Sequence, residues 1–94
     1  MNLYLVSQKV NNGYDTYDSF VCAAKDEEQA RYVSPSSYYT WLDDCWCFVY
    51  ADGTTKPSKF DAWCHPEDVS VKLIGDTSDQ YSEPVIVLSS FNAG

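Results

Sequence analysis

Positive charge is scarce in this chain: six of its 94 residues are lysine or arginine, and Arg31 is the single arginine. Fourteen acidic residues bring the formal net charge to −8 at pH 7. Nucleic-acid binding needs lysines and arginines that meet phosphates, so the charge argues against a direct nucleic-acid ligand. It also argues against an anionic membrane surface. It permits a basic protein partner, including a site that normally holds nucleic acid.

Long apolar runs are also missing, since no stretch approaches the roughly 20 apolar residues that a membrane-spanning helix needs. The start of the chain, Met1 to Tyr4, has neither a charged lead nor a long apolar region. We therefore expect no signal peptide, and we expect the protein to stay in the cytoplasm of its host. Its four cysteines are then expected to be reduced and free of metal.

Signatures of catalysis are sparse as well. The four glycines form neither a GxGxxG nor a Walker pattern. The single histidine, His65, directly follows Cys64, and nothing in the sequence makes it face that thiol as a catalytic base would. Acidic pairs such as Asp43-Asp44 could serve acid–base chemistry, but chance pairs are common among fourteen acids. The sequence therefore favours a protein without enzymatic activity.

Two strand patterns open the chain, which at this length we expect to form a single domain over residues 1–94. Leu3 to Val6 is apolar at every position, and Tyr17 to Ala24 alternates at its start. Between them Asn11 to Asp15 carries a glycine, which suits a turn, so a β-hairpin is predicted. The buried face of its second strand is expected to hold Phe20, Cys22 and Ala24.

A short helix is predicted over Glu27 to Val33. Asp26 precedes it as a plausible N-cap, and Gln29 stands in the capping-box position. Pro35 disfavours helical geometry at the residue before it, so the helix should end there. About two turns are too short to be stable alone, so packing on the sheet must hold the helix.

The segment of residues 36–68 is rich in aromatic residues and cysteines and contains all three tryptophans. Within it Trp46 to Tyr50 reads as a strand, Asp52-Gly53 as a turn, and Thr54 to Lys56 as a short returning strand. Tyr38 to Trp41 reads as a loop.

The predicted fold class is α+β: an antiparallel or mixed sheet of about four main strands, one short helix on one face, and the aromatic and cysteine-rich excursion. Val69 to Leu73 alternates like a half-buried strand. Val85 to Leu88 is apolar at every position, as Leu3 to Val6 is. These two runs therefore predict adjacent strands at the sheet centre.

A small metal-binding structural module is the alternative that the cysteines leave open, because Cys45, Cys47, Cys64 and His65 are donors that zinc accepts. The spacing is unfavourable, since structural zinc knuckles usually place two residues between paired cysteines. Cys45 and Cys47 are also expected to point to opposite faces of their strand. Cysteines acting as small apolar core residues are the favoured interpretation. A disulfide from Cys64 to Cys45 or Cys47 stays open if the protein meets oxidant.

Tyrosines and a tryptophan beside aspartates suggest a protein-binding patch with aromatic anchors and an acidic rim. The alternative is that these rings simply cover the sheet. The candidate residues are Tyr14, Asp15, Tyr17, Asp18, Tyr38, Tyr39, Trp41, Asp43 and Asp44.

The two ends of the chain resemble a family of small proteins encoded by tailed phages and prophages. The stretches that carry the resemblance are Tyr4 to Gln8, Gly13 to Ser19, Ala23-Ala24, Leu73 to Gly75 and Ser90 to Gly94. The resemblance covers about the first third and the last quarter of the chain and leaves out the cysteine-rich middle. The family has no established activity. The resemblance implies an accessory protein that binds and blocks a host protein, such as a CRISPR complex or another bacterial defence factor.

Overall fold

A computed structural model describes residues 1–11, 13, 15–76 and 84–92, and within them the fold is α+β. Two antiparallel sheets and one short helix make up the regular structure. The elements are β1 (Asn2–Ser7), β2 (Thr16–Ala24), α1 (Glu27–Arg31), β3 (Tyr39–Leu42), β4 (Cys45–Val49), β5 (Thr55–Pro57), a 3₁₀ turn (Pro66–Asp68), β6 (Ser70–Asp76) and β7 (Val85–Asn92).

The larger sheet has the strand order β6-β1-β2-β7. The predicted hairpin is confirmed, because β1 and β2 pair antiparallel with Val6 opposite Phe20 and Ser7 opposite Ser19. The connection between these strands includes Asn12 and Tyr14, which lie outside the described residues.

The prediction that the first and last strands are central neighbours is wrong. β1 is central, but β7 pairs with β2 and forms the edge of the sheet. A strand that is apolar at every position does not reveal which strands it pairs with. Nor does such a strand have to be buried on both faces. Val87 is 46% exposed and Leu88 is 67% exposed, while Ile86 packs against the core. The pairing also shifts register so that Val87 lies opposite no β2 residue.

One face of the larger sheet forms the core. The predicted face of β2 is confirmed, since Phe20, Cys22 and Ala24 are all buried, and Tyr4 and Val6 of β1 lie beside them. The helix and the aromatic segment pack on the same face, because their buried residues belong to one cluster with these side chains. Those residues are Ala30, Trp46, Phe60, Trp63, Cys64 and Val69.

Helix α1 begins at the predicted cap. The backbone N–H of Gln29 donates to Oδ1 of Asp26 at 2.8 Å. Oε1 of Gln29 accepts from the N–H of Lys25 at 2.8 Å, one residue earlier than a standard capping box. The helix ends at Arg31, two residues before the predicted end at Val33.

The smaller sheet has the order β3-β4-β5. The prediction of a loop at Tyr38 to Trp41 is wrong, because Tyr39–Leu42 is a strand that pairs with β4. Asp43 and Asp44 connect the two strands with φ values of 51° and 63°. Two successive left-handed residues are typical of the type I′ turn, which matches the twist of a tight hairpin. The second predicted hairpin, with its turn at Asp52-Gly53, is confirmed by the β4–β5 pairing.

Aromatic rings join the two sheets. Trp63 packs on Phe20 of β2 with centroids 5.3 Å apart. Trp46 of β4 meets Phe60 edge-to-face at 5.2 Å. Nε1 of Trp46 also donates to the carbonyl of Cys64 at 3.0 Å. The smaller sheet is therefore held to the larger one through the segment of residues 60–64.

The Asp26 cap gives a first prediction. Asp26→Ala should lower the free energy of unfolding by about 0.5–2 kcal/mol, because it removes the acceptor for the Gln29 N–H. Asp26→Asn is the matched control, since asparagine caps helices nearly as well. Urea denaturation followed by circular dichroism measures both variants, and equal stability of Asp26→Ala and the wild type would contradict the assignment.

A second prediction compares two buried tryptophans. Nε1 of Trp63 has no hydrogen-bond partner among the described residues, whereas Nε1 of Trp46 donates to Cys64. Trp46→Phe leaves a buried carbonyl unpaired, while Trp63→Phe removes an unpaired donor. Trp46→Phe should therefore be the more destabilising change by about 1–3 kcal/mol. Chemical denaturation of the two variants checks the order, and the reverse order would contradict it.

Candidate protein-binding surface

The first group of predicted residues lies where β2 begins. Asp15 and Asp18 are exposed, and Asp15 has a φ of 60°. Tyr17 is half-buried against the core, and its N–H donates to the carbonyl of Ala62 at 2.9 Å. Tyr14 lies outside the described residues. This group therefore offers two exposed carboxylates beside a ring that serves partly in packing.

A buried glutamine fixes the backbone beside this group. Nε2 of Gln8 donates to the carbonyls of Asn11 at 2.7 Å and Tyr17 at 2.8 Å. Its Oε1 accepts from the N–H groups of Val10 at 2.9 Å and Asn11 at 2.8 Å. Sequence reasoning missed this role. The available signal was position, because Gln8 continues the alternation of Tyr4 and Val6, and a polar residue on a buried face needs partners.

Three of the five stretches on which the predicted resemblance depends meet at one end of the larger sheet, whereas Ala23-Ala24 and Leu73 to Gly75 pair with Asn2 to Tyr4 toward its other end. Ser7 of β1 lies opposite Ser19 of β2. Tyr17 lies opposite Phe91, and Thr16 opposite Asn92 of β7. Three separate stretches of the sequence thus share one sheet end; the final residues, 93 and 94, lie outside the described part.

The second group lies on the β3–β4 hairpin. Tyr38 is 65% exposed and stacks on Phe48 with centroids 6.4 Å apart and planes 5° from parallel. Tyr39 is half-buried and stacks on Phe60 at 4.1 Å. Trp41 is half-buried and meets Trp46 edge-to-face at 5.2 Å. Tyr38 is therefore the ring of this group most open to a partner, while the other two also support the core.

The acidic residues of this group form the tip of the hairpin. Asp43 and Asp44 are both exposed, and the turn geometry holds them next to each other. The β3–β4 hairpin thus presents an exposed aromatic stack near one end and two carboxylates at the other. We call the surface formed by Tyr38, Phe48, Asp43 and Asp44 the hairpin surface.

The segment of residues 60–63 lies between the two groups. Ala62 accepts the Tyr17 N–H on one side, and Phe60 stacks on Tyr39 on the other. Nδ2 of Asn11 also donates to the carbonyls of Asp61 and Trp63. The sequence-predicted residues therefore do not form one cluster but two, each packed on the same connecting segment.

The cysteines differ from expectation in one respect. Sγ of Cys45 and Sγ of Cys47 lie 3.7 Å apart, so the prediction that they point to opposite faces is wrong. Residues two apart on a strand share a face. Burial, and then the neighbouring Cys45 thiol and Asp43 charge, raise the pKa of the Cys47 thiol.

The four proposed metal donors are not assembled. Within the described residues, which include all four donors, no group of three or more histidine, cysteine or acidic side chains is placed to hold a metal ion. Cys64 is buried, while His65 is exposed and meets Trp41 edge-to-face at 5.4 Å. Burial raises the pKa of the Cys64 thiol to about 11, with a smaller contribution from Asp68.

These thiols give a third prediction. Cys45 is half-buried, whereas Cys22 and Cys64 are buried and burial raises the pKa of each to about 11. At about pH 8 an aromatic disulfide reagent should therefore modify Cys45 of the folded protein first, because the thiolate is the reactive form. The fast phase should vanish in Cys45→Ser and persist in Cys64→Ser. Equal rates for all thiols of the folded protein would contradict this.

No described helix is long and apolar enough to cross a membrane. Comparison of the chain with protein-family models, with curated proteins and with solved structures found no match.

Proposed function

We propose that this protein is a non-enzymatic accessory protein of a phage or prophage that binds and blocks a host protein through a basic surface of that partner. The observation that carries the proposal is the hairpin surface, where an exposed ring and two carboxylates are held on a rigid hairpin. Tyr38, stacked on Phe48, is 65% exposed. The ring near one end of the hairpin can act as an aromatic anchor, and the carboxylates at the other end can act as part of a charged rim.

The charge of the whole chain supports a basic partner. A net charge of −8 with one arginine repels nucleic acid and attracts surfaces that bind it. The two carboxylates of the hairpin tip, and those of the exposed Asp15 and Asp18, concentrate part of this negative charge at two places on the surface. Such charges mainly speed and steer the encounter, while packed rings hold the complex.

The fixed position of the Tyr38 ring in the free protein supports its role as an anchor for the partner. The Tyr38 ring is stacked on Phe48, whose ring centroid lies 5.5 Å from that of Tyr39. Tyr39 in turn stacks on Phe60 of the core. A ring held in place in the free protein loses less conformational freedom on binding, which favours affinity.

The properties of Cys64 support a role without catalysis. Its thiol is buried with a pKa raised to about 11, so little thiolate forms near neutral pH. Its sequence neighbour His65 packs against Trp41 instead. This pair is therefore a poor candidate for a nucleophile and base.

The class of partner follows from the resemblance of the chain ends to phage and prophage proteins. We propose a bacterial defence factor, such as a CRISPR complex, whose nucleic-acid site offers the basic surface. Capture from a bacterial host extract on the immobilised protein, followed by mass spectrometry, identifies the partner. The alternative metal-binding module is tested by elemental analysis of protein purified without chelator; one zinc per chain, lost together with the fold on chelation, would favour it.

The fourth prediction tests the hairpin surface with the captured partner. Asp43→Asn with Asp44→Asn removes two charges and keeps the turn, because asparagine tolerates left-handed backbone. This double variant should slow association and weaken its dependence on salt, since exposed charges are screened over about 10 Å at 0.1 M salt. Tyr38→Ala should weaken binding by more than about 1 kcal/mol through faster dissociation.

Glu27→Gln with Glu28→Gln is the matched control, because it removes two exposed charges from helix α1. Surface plasmon resonance at several salt concentrations measures all variants, with circular dichroism to show that each is folded. Unchanged association and affinity in both hairpin variants would contradict the proposed surface.

A further inference from the structure

A cavity of about 260 Å³ lies where the end of helix α1, strand β3, the β3–β4 turn and the 3₁₀ turn meet. Two of its lining residues, Trp41 and Asp44, are predicted partner-binding residues, and a third, His65, is a donor in the alternative metal site. The lining residues are Tyr32, Trp41, Asp44, His65, Pro66 and Glu67.

Aromatic rings form the walls of this cavity. Tyr32 and Trp41 have centroids 6.3 Å apart with planes inclined by 40°. His65 meets Trp41 at 5.4 Å with planes inclined by 72°. Tyr32 is 42% exposed, so its ring contributes to the open side of the cavity. Indole and phenol faces carry the negative part of the ring quadrupole, which attracts a cation placed over them.

The charged groups that line the cavity are of one sign. Asp44 and Glu67 contribute exposed carboxylates, and no lysine or arginine is among the lining residues. Arg31, next to Tyr32 in sequence, is not a lining residue; its Nη1 donates to the carbonyls of Pro66 at 2.9 Å and Val69 at 3.1 Å. These contacts also fix the 3₁₀ turn that carries Glu67 beside the helix.

We propose that this cavity receives a cationic side chain, an arginine or lysine, from the protein partner. The inference rests on the proposed function and deepens it, since it names the group of the basic partner that is recognised. The side chain enters the cavity alongside the Tyr32 and Trp41 rings, its charged head lies against an exposed aromatic face, and Asp44 and Glu67 accept its N–H groups.

The chemistry of the lining selects against other ligands. An anion would meet two carboxylates, and an uncharged apolar group would leave those carboxylates partly desolvated without a counter-charge. A cation with N–H donors interacts favourably with the aromatic faces and donates hydrogen bonds to the carboxylates. A guanidinium can stack on a ring and hydrogen-bond to a carboxylate at the same time.

The fifth prediction uses small probes, so that it does not depend on a captured partner. N-acetyl-arginine methylamide and N-acetyl-lysine methylamide are titrated into the ¹⁵N-labelled protein, with N-acetyl-citrulline methylamide as the uncharged analogue of arginine. The indole N–H signal of Trp41, assigned with Trp41→Phe, should shift with both cations and stay in place with citrulline. No shift with either cation, or an equal shift with citrulline, would overturn the proposal.

Two variants locate the binding. Glu67→Gln removes a lining charge and Tyr32→Leu removes an exposed ring; each should weaken cation binding by at least about threefold. Glu27→Gln is the matched control, because it removes an exposed charge that does not line the cavity. Unaltered affinity in both test variants would place the cation elsewhere and overturn the site.

The failure of this inference can be told from failure of the proposed function. If the partner binds Tyr32→Leu and Glu67→Gln as tightly as the wild type while Tyr38→Ala weakens binding, the cavity proposal fails and the hairpin surface stands. If the cations bind the cavity and Tyr32→Leu or Glu67→Gln weakens partner binding, but Tyr38→Ala leaves partner binding unchanged, the hairpin surface fails instead.

Discussion

Aromatic packing between the two sheets is the interaction on which the rest of this structure depends. The smaller sheet has three short strands, and such a sheet needs apolar cover to be stable. That cover comes from Trp46 and Tyr39, which both contact Phe60, while Trp63 from the same segment packs on Phe20 of the larger sheet. If this contact were lost, the hairpin surface and the cavity would lose their support together.

The same rings serve the core and the candidate binding site. Trp41 contacts Trp46 on one side and lines the cavity on the other, and Tyr39 links Phe60 to Phe48. Shared packing makes the binding residues rigid, which lowers the entropic cost of an encounter. It also means that effects on stability and on binding must be measured together for these positions.

Sequence reasoning succeeded where local chemistry decides the structure. The Asp26 cap, the Asp52-Gly53 turn and the buried face of β2 each depend on residues close in sequence, and each is confirmed. It failed where distant segments decide. The hydrophobic pattern could not show that β7 pairs with β2, because the residues of a strand do not determine which strand it pairs with. β3 was missed because its tight turn uses Asp43 and Asp44 in place of the usual glycine.

The candidate site shows the same division. Composition indicated acids and rings as binding groups, and the hairpin brings five of the predicted residues onto one element or its immediate ends: Tyr38, Tyr39, Trp41, Asp43 and Asp44. The meeting of Tyr32, His65 and Glu67 with Trp41 could not be foreseen, because these residues come from separate parts of the chain. Their meeting depends on how helix α1 and the 3₁₀ turn dock, which Arg31 fixes through two backbone carbonyls.

The position of β7 also governs how the chain can be made. Strand β2 is synthesised well before β7, the strand that pairs along its outer side, because helix α1, the smaller sheet and β6 all come between them in the chain. Until then one side of β2 is open, and pairing partners this far apart in sequence come together slowly. A nascent chain with an open strand is exposed to aggregation. The surplus of negative charge, already present in the helix that follows β2, gives emerging chains a mutual repulsion during that interval.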